Sequence, residues 1–462
     1  MCFVWHQIQE NDICLPIYLT DKREKNCRGY EIKRSGYMFR EEVKTIGGLR
    51  LHVIPTKKYK TNTLVLKMKA PLCERDITMR ALVPYVLQNA TERHPSMKAL
   101  RTYLDELYGA TLQVDLAKKG ENHIITIRMD VANEKFLGTT SPLLREALTL
   151  FSDMLFRPLT EQGGFSAAIV EQEKRALKQK IQSLFDDKMR YAQHRLIEEM
   201  YKGSPYALDV HGKLSDIDTI DAKRLYKHYE HMLKHDEIDL YIVGDVALTD
   251  VEHDVVERFP LEARSLRSTE TTTLTKRTSV QEVIEKQHVK QGKLHLGYRT
   301  NTTYNDADYD ALQVWNGIFG GFAHSKLFMN VREKASLAYY AASRIESHQG
   351  MMMVMAGIEP SNYERALEII HAQAEAMRNG QFSDEEIIQT KAVIRNQLLE
   401  TVDTARGMIE ISYHNVIATR QRPLDEWLEA IEKVTYEDIV RVGEKIELDT
   451  IYFLTEKEGE KK

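Results

Sequence analysis

The chain of 462 residues holds little cysteine, proline or tryptophan, with 4, 11 and 3 of each, and has no strong excess of either charge. Cys2, Cys14, Cys27 and Cys73 fit neither a C-x-x-C metal knuckle nor a dense disulfide framework. The opening MCFVWHQIQEND lacks a basic region followed by a sustained apolar stretch, so the expectation is a reducing, cytoplasmic setting. No run approaches the roughly 20 uncharged apolar residues that span a bilayer, and no membrane association is expected. A net charge of -5 and a pI near 6.4 provide no overall field for phosphates, which argues against nucleic acid as a partner. What is present, 42% hydrophobic and 29% charged residues, is the composition of a folded globular protein long enough for two or three domains or one duplicated unit.

Duplication is visible in the order of elements. Leu49-Arg-Leu-His-Val-Ile54 and Thr63-Leu-Val-Leu-Lys-Met-Lys69 read as strands, followed by helical spacing over 76–88 and 96–108. Two strands, 111–117 and 123–130, a helix to Phe156 with Ser141 as its cap and Pro142 at its first position, a longer helix over 165–201, another over 219–235 and a strand over 238–243 complete the series. The second half repeats it. Val170 to Asp186 lines up with Ile387 to Asp403 at an offset of 217, and Leu107 to Leu112 with Ala335 to Tyr340 at 228. Two tandem α+β copies follow, 44–258 and 286–458, with an N-terminal extension 1–43, a linker 259–285 rich in Ser, Thr and charge, and a tail 459–462. Ser383 with Glu386, and Thr435 with Asp438, carry the polar cap and the acid three residues on that satisfy free N–H groups at a helix start.

Copies of this size, with Leu327-Phe-Met-Asn-Val-Arg-Glu-Lys-Ala-Ser-Leu-Ala-Tyr339 in the second and Leu240-Tyr-Ile-Val-Gly-Asp245 closing the first, resemble the pitrilysin/insulinase-like inverted-zincin peptidases. The resemblance covers about 45–458 and is nearest to bacterial members related to mitochondrial processing peptidase. It implies two homologous α/β-roll domains, each a mixed, mostly antiparallel sheet packed on helices. Active members hold Zn²⁺ through His-x-x-Glu-His on the first long helix plus a distal Glu. No such motif occurs here. Aligned on the turn Asn89-Ala-Thr-Glu-Arg-His-Pro95, the motif positions are Ala81-Leu-Val-Pro-Tyr85, so Ala81, Pro84 and Tyr85 replace the two imidazoles and the general base. Pro84 also strains a helix interior by ~3 kcal/mol. At the distal ligand position, seven residues beyond Glu173, stands Lys180, whose ammonium repels a dication.

The second copy retains what the resemblance assigns to oxyanion stabilisation, Arg332 near a helix end and Tyr339 at the next strand, with Tyr340 facing away. The bland reading of that pair is a surface ion pair and a packing tyrosine. Four further features read as structural. His228, His231 and His235 sit at metal-compatible spacing on a helix end that reads as solvated surface. Gly317-Ile-Phe-Gly-Gly321 reads as a close-packing turn, Met351-Met-Met-Val-Met355 as a buried strand, and Glu171, Glu173, Lys174 and Arg175 as a solvated helix face. The resemblance therefore implies a subunit with no cofactor of its own. It would pair with a zinc-binding paralogous subunit, lend it Arg332 and Tyr339, and enclose a peptide substrate. The competing readings are a non-catalytic structural or peptide-binding protein of this fold, and a peptidase built on the histidine cluster.

Overall fold

A computed structural model describes residues 39–138, 141–263 and 279–457. Cys2, Cys14 and Cys27, most of the 1–43 extension, much of the 259–285 linker and the 459–462 tail lie outside the described residues.

Two sheets carry the architecture. The first has six strands in the order Glu42–Ile46, Leu49–Pro55, Glu237–Gly244, Thr61–Pro71, Asn122–Ala132, Thr111–Lys119. The second has five, in the order Gln281–Gln287, Glu447–Glu456, Gly292–Arg299, Met351–Ile358, Ala338–Glu346. Apart from the extra edge strand Glu42–Ile46, the two orders are the same. In each sheet the first strand of the repeat pairs in parallel with the last, and the other pairings are antiparallel. The sheets are thus mixed and mostly antiparallel, as expected of this α+β class.

Alternation along the strands sends side chains to two covered faces, which is why the central strands read as nearly continuous apolar runs. Leu64, Leu66 and Met68 enter the core formed with helices Ile77–Leu87, Leu143–Phe156 and Ala222–His235. Val65, Tyr241 and Val243 face the opposite way and join a core dominated by the second half.

That sharing arises from a crossing of helices. The helix expected over 165–201 breaks into Ala167–Asp186 and Lys188–Met200, because Asp187 leaves the helical conformation and its carboxylate accepts the N–H groups of Met189 and Arg190. Thr404, 217 residues on, caps helix Ala405–Ala418 in the same way after Asp384–Thr401. Past each break the chain leaves its own half. Helix Lys188–Met200 packs on the second sheet, where Leu196 and Met200 fill the space over Gly297, and helix Ala405–Ala418 packs on the first sheet, where Glu410 pairs with Lys67 at 2.7 Å.

Other departures are local. Strand Glu42–Ile46 starts inside the stretch read as an extension, and strand Gln281–Gln287 inside the stretch read as a linker. The helix after Ser141 begins at Leu143, with Pro142 as its cap rather than its first residue. Gly317–Gly321 is not a turn but a π-helical continuation of helix Tyr309–Asn316. Close packing still requires its glycines, since a Cβ on Gly320 would lie 2.5 Å from Ser343 Oγ. Met351–Ile358 is a buried strand, and Ser383 and Thr435 form capping boxes with Glu386 and Asp438.

Candidate functional site

Helix Ile77–Leu87 continues through Pro84, and Gln88 N–H still reaches the Pro84 carbonyl at 3.2 Å. Tertiary contacts hold it. Arg80, only 1% exposed, donates through Nη1 to both carboxylate oxygens of Asp236 at 2.9 and 2.7 Å and through Nε to His123 Nδ1 at 3.3 Å. Burial, aided by the Arg80 charge, pulls the His123 pKa down to about 3, so its ring stays neutral and its Nε2–H can donate to the Val210 carbonyl at 2.9 Å.

The next residue, Ala81, is fully buried, and one turn beyond it Tyr85 is half-buried. Lys180, on the facing helix Ala167–Asp186, donates to the Tyr85 hydroxyl at 2.8 Å and lies 5.1 Å from the centre of its ring. The fold thus brings together two positions 95 residues apart that the alignment treats as one site. Methyl, pyrrolidine, phenol and ammonium groups do not fit a divalent cation, which needs neutral imidazole or carboxylate donors. Among the described residues no group of three or more His, Cys, Asp or Glu side chains could hold a metal.

Glu173 and Lys174 depart from the solvated face expected of them, since both are buried. Glu173 accepts from Asn89 Nδ2 at 3.0 Å, which ties the long helix to the turn after Leu87, and Lys174 donates to the Ile220 carbonyl at 2.9 Å. Both lie on the helix's single buried stripe with Val170, Leu177 and Ile181, so position on that face and not side-chain type sets their burial. Of the histidine cluster, His231 is exposed, and its ring stacks edge-on with His235 at 4.2 Å.

In the second half, three backbone irregularities occur within a dozen residues. Phe328–Lys334, which carries Arg332, is a π-helical segment, and Ala335 N–H bonds to the Asn330 carbonyl five residues back. Ser336 has φ +52°, a left-handed conformation unusual for a residue with a side chain. The pairing of strand Ala338–Glu346 with Met351–Ile358 then shifts register between Ala338 and Tyr340, so Tyr339 is the bulged residue of an edge strand. The bulge leaves Tyr339 64% exposed, while Tyr340 packs its ring against Gly357. Arg332 keeps its side chain 36% exposed, with Phe328 under the guanidinium at 4.6 Å and Glu333 at 3.6 Å. Tyr339 donates to Glu359 at 3.0 Å, and this bond to a carboxylate raises its phenol pKa. Arg332 and Tyr339 are therefore presented outward, each held by its own weak surface partner.

A two-copy α+β scaffold of metallopeptidase type, with no metal ligands where the zinc helix aligns, is the class that this fold and site define. Comparison with known proteins agrees. A model of the peptidase M16 inactive domain matches residues 219–394. YmfF of Bacillus subtilis (strain 168), named "Probable inactive metalloprotease", is 52% identical over 413 residues, 89% of this chain and 97% of that protein. The crystal structure of a conserved protein from Enterococcus faecalis V583 superposes with a TM-score of 0.85 at 34% identity, over 91% of this chain and 100% of that one. AlbE of Bacillus subtilis, named for biosynthesis of the antilisterial bacteriocin subtilosin, is 24% identical over 293 residues, 63% of this chain and 71% of that protein. The chain belongs to the M16 peptidase family, the pitrilysin/insulinase-like group that its sequence resembles.

Proposed function

We propose that this chain is the metal-free subunit of a heteromeric M16 peptidase, which lends Arg332 and Tyr339 to a partner carrying His-x-x-Glu-His and its zinc. The observation that carries the reading is the run of irregular backbone from Phe328 to Tyr340. A wide helical turn, a left-handed serine and a bulge each cost stability, and together they leave a guanidinium and a phenol exposed at one sheet edge. Backbone strain of this kind persists where side-chain placement matters. A permanent planar cation and a neutral phenol suit an oxyanion, and such donors are useful only beside a metal-bound nucleophile. The zinc site would therefore lie in the other polypeptide.

The substrate in this reading is an unfolded peptide or short precursor, held as an added strand on a sheet edge. The relation to AlbE, a bacteriocin biosynthesis protein, supports a small gene-encoded precursor as cargo.

Native purification without a tag, with identification of co-eluting chains and metal analysis, tests the pairing. In the assembled complex, Arg332→Ala combined with Tyr339→Phe should lower turnover by about 10²-fold or more while assembly persists. Stoichiometric zinc in this chain alone, or unchanged turnover of the intact complex, would refute the proposal. Unchanged turnover would favour a purely structural subunit.

A further inference from the structure

We propose that two copies of this chain pair through opposite charge: Lys223, Lys227 and Lys234 on helix Ala222–His235 of one meet Asp425, Glu429 and Glu432 on helix Leu424–Lys433 of the other. Both faces are visible in one molecule. Helix Ala222–His235 turns Leu225, Tyr229 and Met232 into the core of the first half, and helix Leu424–Lys433 turns Leu424, Trp427 and Ile431 into that of the second. What each leaves outside is nearly of one sign. Lys223, Arg224, Lys227 and Lys234 are exposed on the first helix, whose only acid is Glu230. Asp425, Glu426, Glu429 and Glu432 are exposed on the second, whose only base is Lys433. Lys223, Lys227 and Lys234 stand at i, i+4 and i+11, and Asp425, Glu429 and Glu432 at i, i+4 and i+7, spacings that keep each set on one side of its helix.

Neither face is neutralised within the chain. Among the described residues Lys223, Lys227, Lys234, Asp425 and Glu432 make no ion pair, while Glu429 meets Lys433 at 3.0 Å and Glu426 meets Arg420 at 3.7 Å, both in the open. Each face also opposes its own helix dipole. Lys223 and Arg224 occupy the first turn, beside the positive N–H end, and Glu432 the last turn, beside the negative carbonyl end. Like charges four residues apart, Lys223 with Lys227 and Asp425 with Glu429, add mutual repulsion. An antiparallel approach of a second copy relieves all of these together, because it sets the first turn of the basic helix beside the last turn of the acidic one. Ile388 adds apolar area at that end. It lies one turn before Lys391, whose ammonium donates to the carbonyls of Glu432 and Val434 at 2.9 and 2.6 Å, and it is 68% exposed. A two-fold axis makes the contact twice and closes the assembly as a dimer. Arg332 and Tyr339 take no part, so the pairing stands apart from the peptidase reading.

Sedimentation velocity of the full chain at micromolar concentration tests the pairing. In about 0.05 M salt the dimer should dominate, and in about 0.5 M salt its dissociation constant should rise about tenfold or more. Two charge-reversed variants follow, Lys223→Glu with Lys227→Glu, and Glu429→Lys with Glu432→Lys. Each alone should sediment as a monomer at both salt concentrations while keeping the far-UV spectrum of the folded chain, since all four side chains are exposed. Mixed in equal amounts at low salt, the two should recover the dimer, because each reversed face then meets its complement on the other variant. A wild-type chain that is monomeric at low salt would overturn the proposal. So would a dimer that survives either reversal, or a mixture of the two variants that stays monomeric.

Discussion

Helix Ala405–Ala418 meets the first sheet with a buried ion pair, Lys67 with Glu410, inside its apolar contact, whereas helix Lys188–Met200 centres its contact on methionine, leucine and tyrosine and keeps its ion pair, Arg195 with Glu285 at 3.4 Å, at the edge strand of the second sheet. The two helices start 217 residues apart, at equivalent points of the repeat, and each crosses to the other half's sheet. At the first contact, Lys67 pairs with Glu410 at 2.7 Å and sits 4.5 Å over the Tyr413 ring, and Lys119 reaches the same carboxylate at 3.4 Å. Burial alone would push the Glu410 carboxyl up, but the two ammonium groups outweigh it and hold it well below the usual carboxylate range. At the second contact, Leu196, Met200, Met351, Met353, Tyr452 and Leu454 form a small separate core. Duplication preserved the path of the chain and let the chemistry diverge.

Glu410→Ala should be the most damaging single change, because it takes from the deeply buried Lys67 the carboxylate it pairs with. Breaking one partner of a buried pair costs about 3–5 kcal/mol, read as a drop in the urea midpoint. Replacing Lys67 and Glu410 together by Met and Leu should recover most of that loss, since the desolvated charges leave together. A loss below ~1 kcal/mol for the single variant would show that water or other groups already serve the cluster, and would erase the contrast.

Met353→Ala tests the other contact. Met353 is buried beneath helix Lys188–Met200, and its truncation should cost about 2–3 kcal/mol by lost burial and a residual cavity. Its effect should be insensitive to salt, unlike that of Glu410→Ala. Equal salt dependence of the two variants would break the comparison.

The contrast also marks what the sequence discloses. The repeat was legible because Lys, Asp and apolar spacing recur over seventeen residues in helices Ala167–Asp186 and Asp384–Thr401. The order of elements along each copy followed from it, though not the order of strands within a sheet, and Arg332 and Tyr339 stood out because their segment is contiguous. The crossing was not legible. Asp187 and Thr404 are good helix caps, but the apolar pattern runs through both, and no local signal tells a helix to leave its own half. Glu410 was missed for the same reason, since it reaches Lys67 only through that crossing. The burial of Glu173 escaped because its partner Asn89 is 84 residues away. Strand Glu42–Ile46 alternates too weakly to be seen, with an exposed pattern typical of an edge.

The smallest expected effect is a difference of sign with pH. His52 lies on the charged side of the first sheet, bonded through Nδ1 to Glu41 at 2.7 Å and through Nε2 to Asp239 at 3.0 Å. Burial opposes its protonation, but those carboxylates outweigh it and raise its pKa. His295 lies on the second sheet opposite Met355 and Tyr452, and burial, with a smaller push from Lys293, lowers its pKa to about 3. A raised folded pKa gives stability that is complete below the unfolded value of 6.5 and disappears as pH rises through the folded value. A depressed one gives the reverse, stability present above 6.5 and lost as pH falls toward 3. His52→Gln should therefore cost more at pH 5.5 than at pH 8.5, while His295→Gln should cost less at pH 5.5, the latter by about 1 kcal/mol across that interval. Denaturant midpoints of both variants at the two pH values measure the difference. If the two shifts share a sign, the charged and apolar contacts are electrostatically alike.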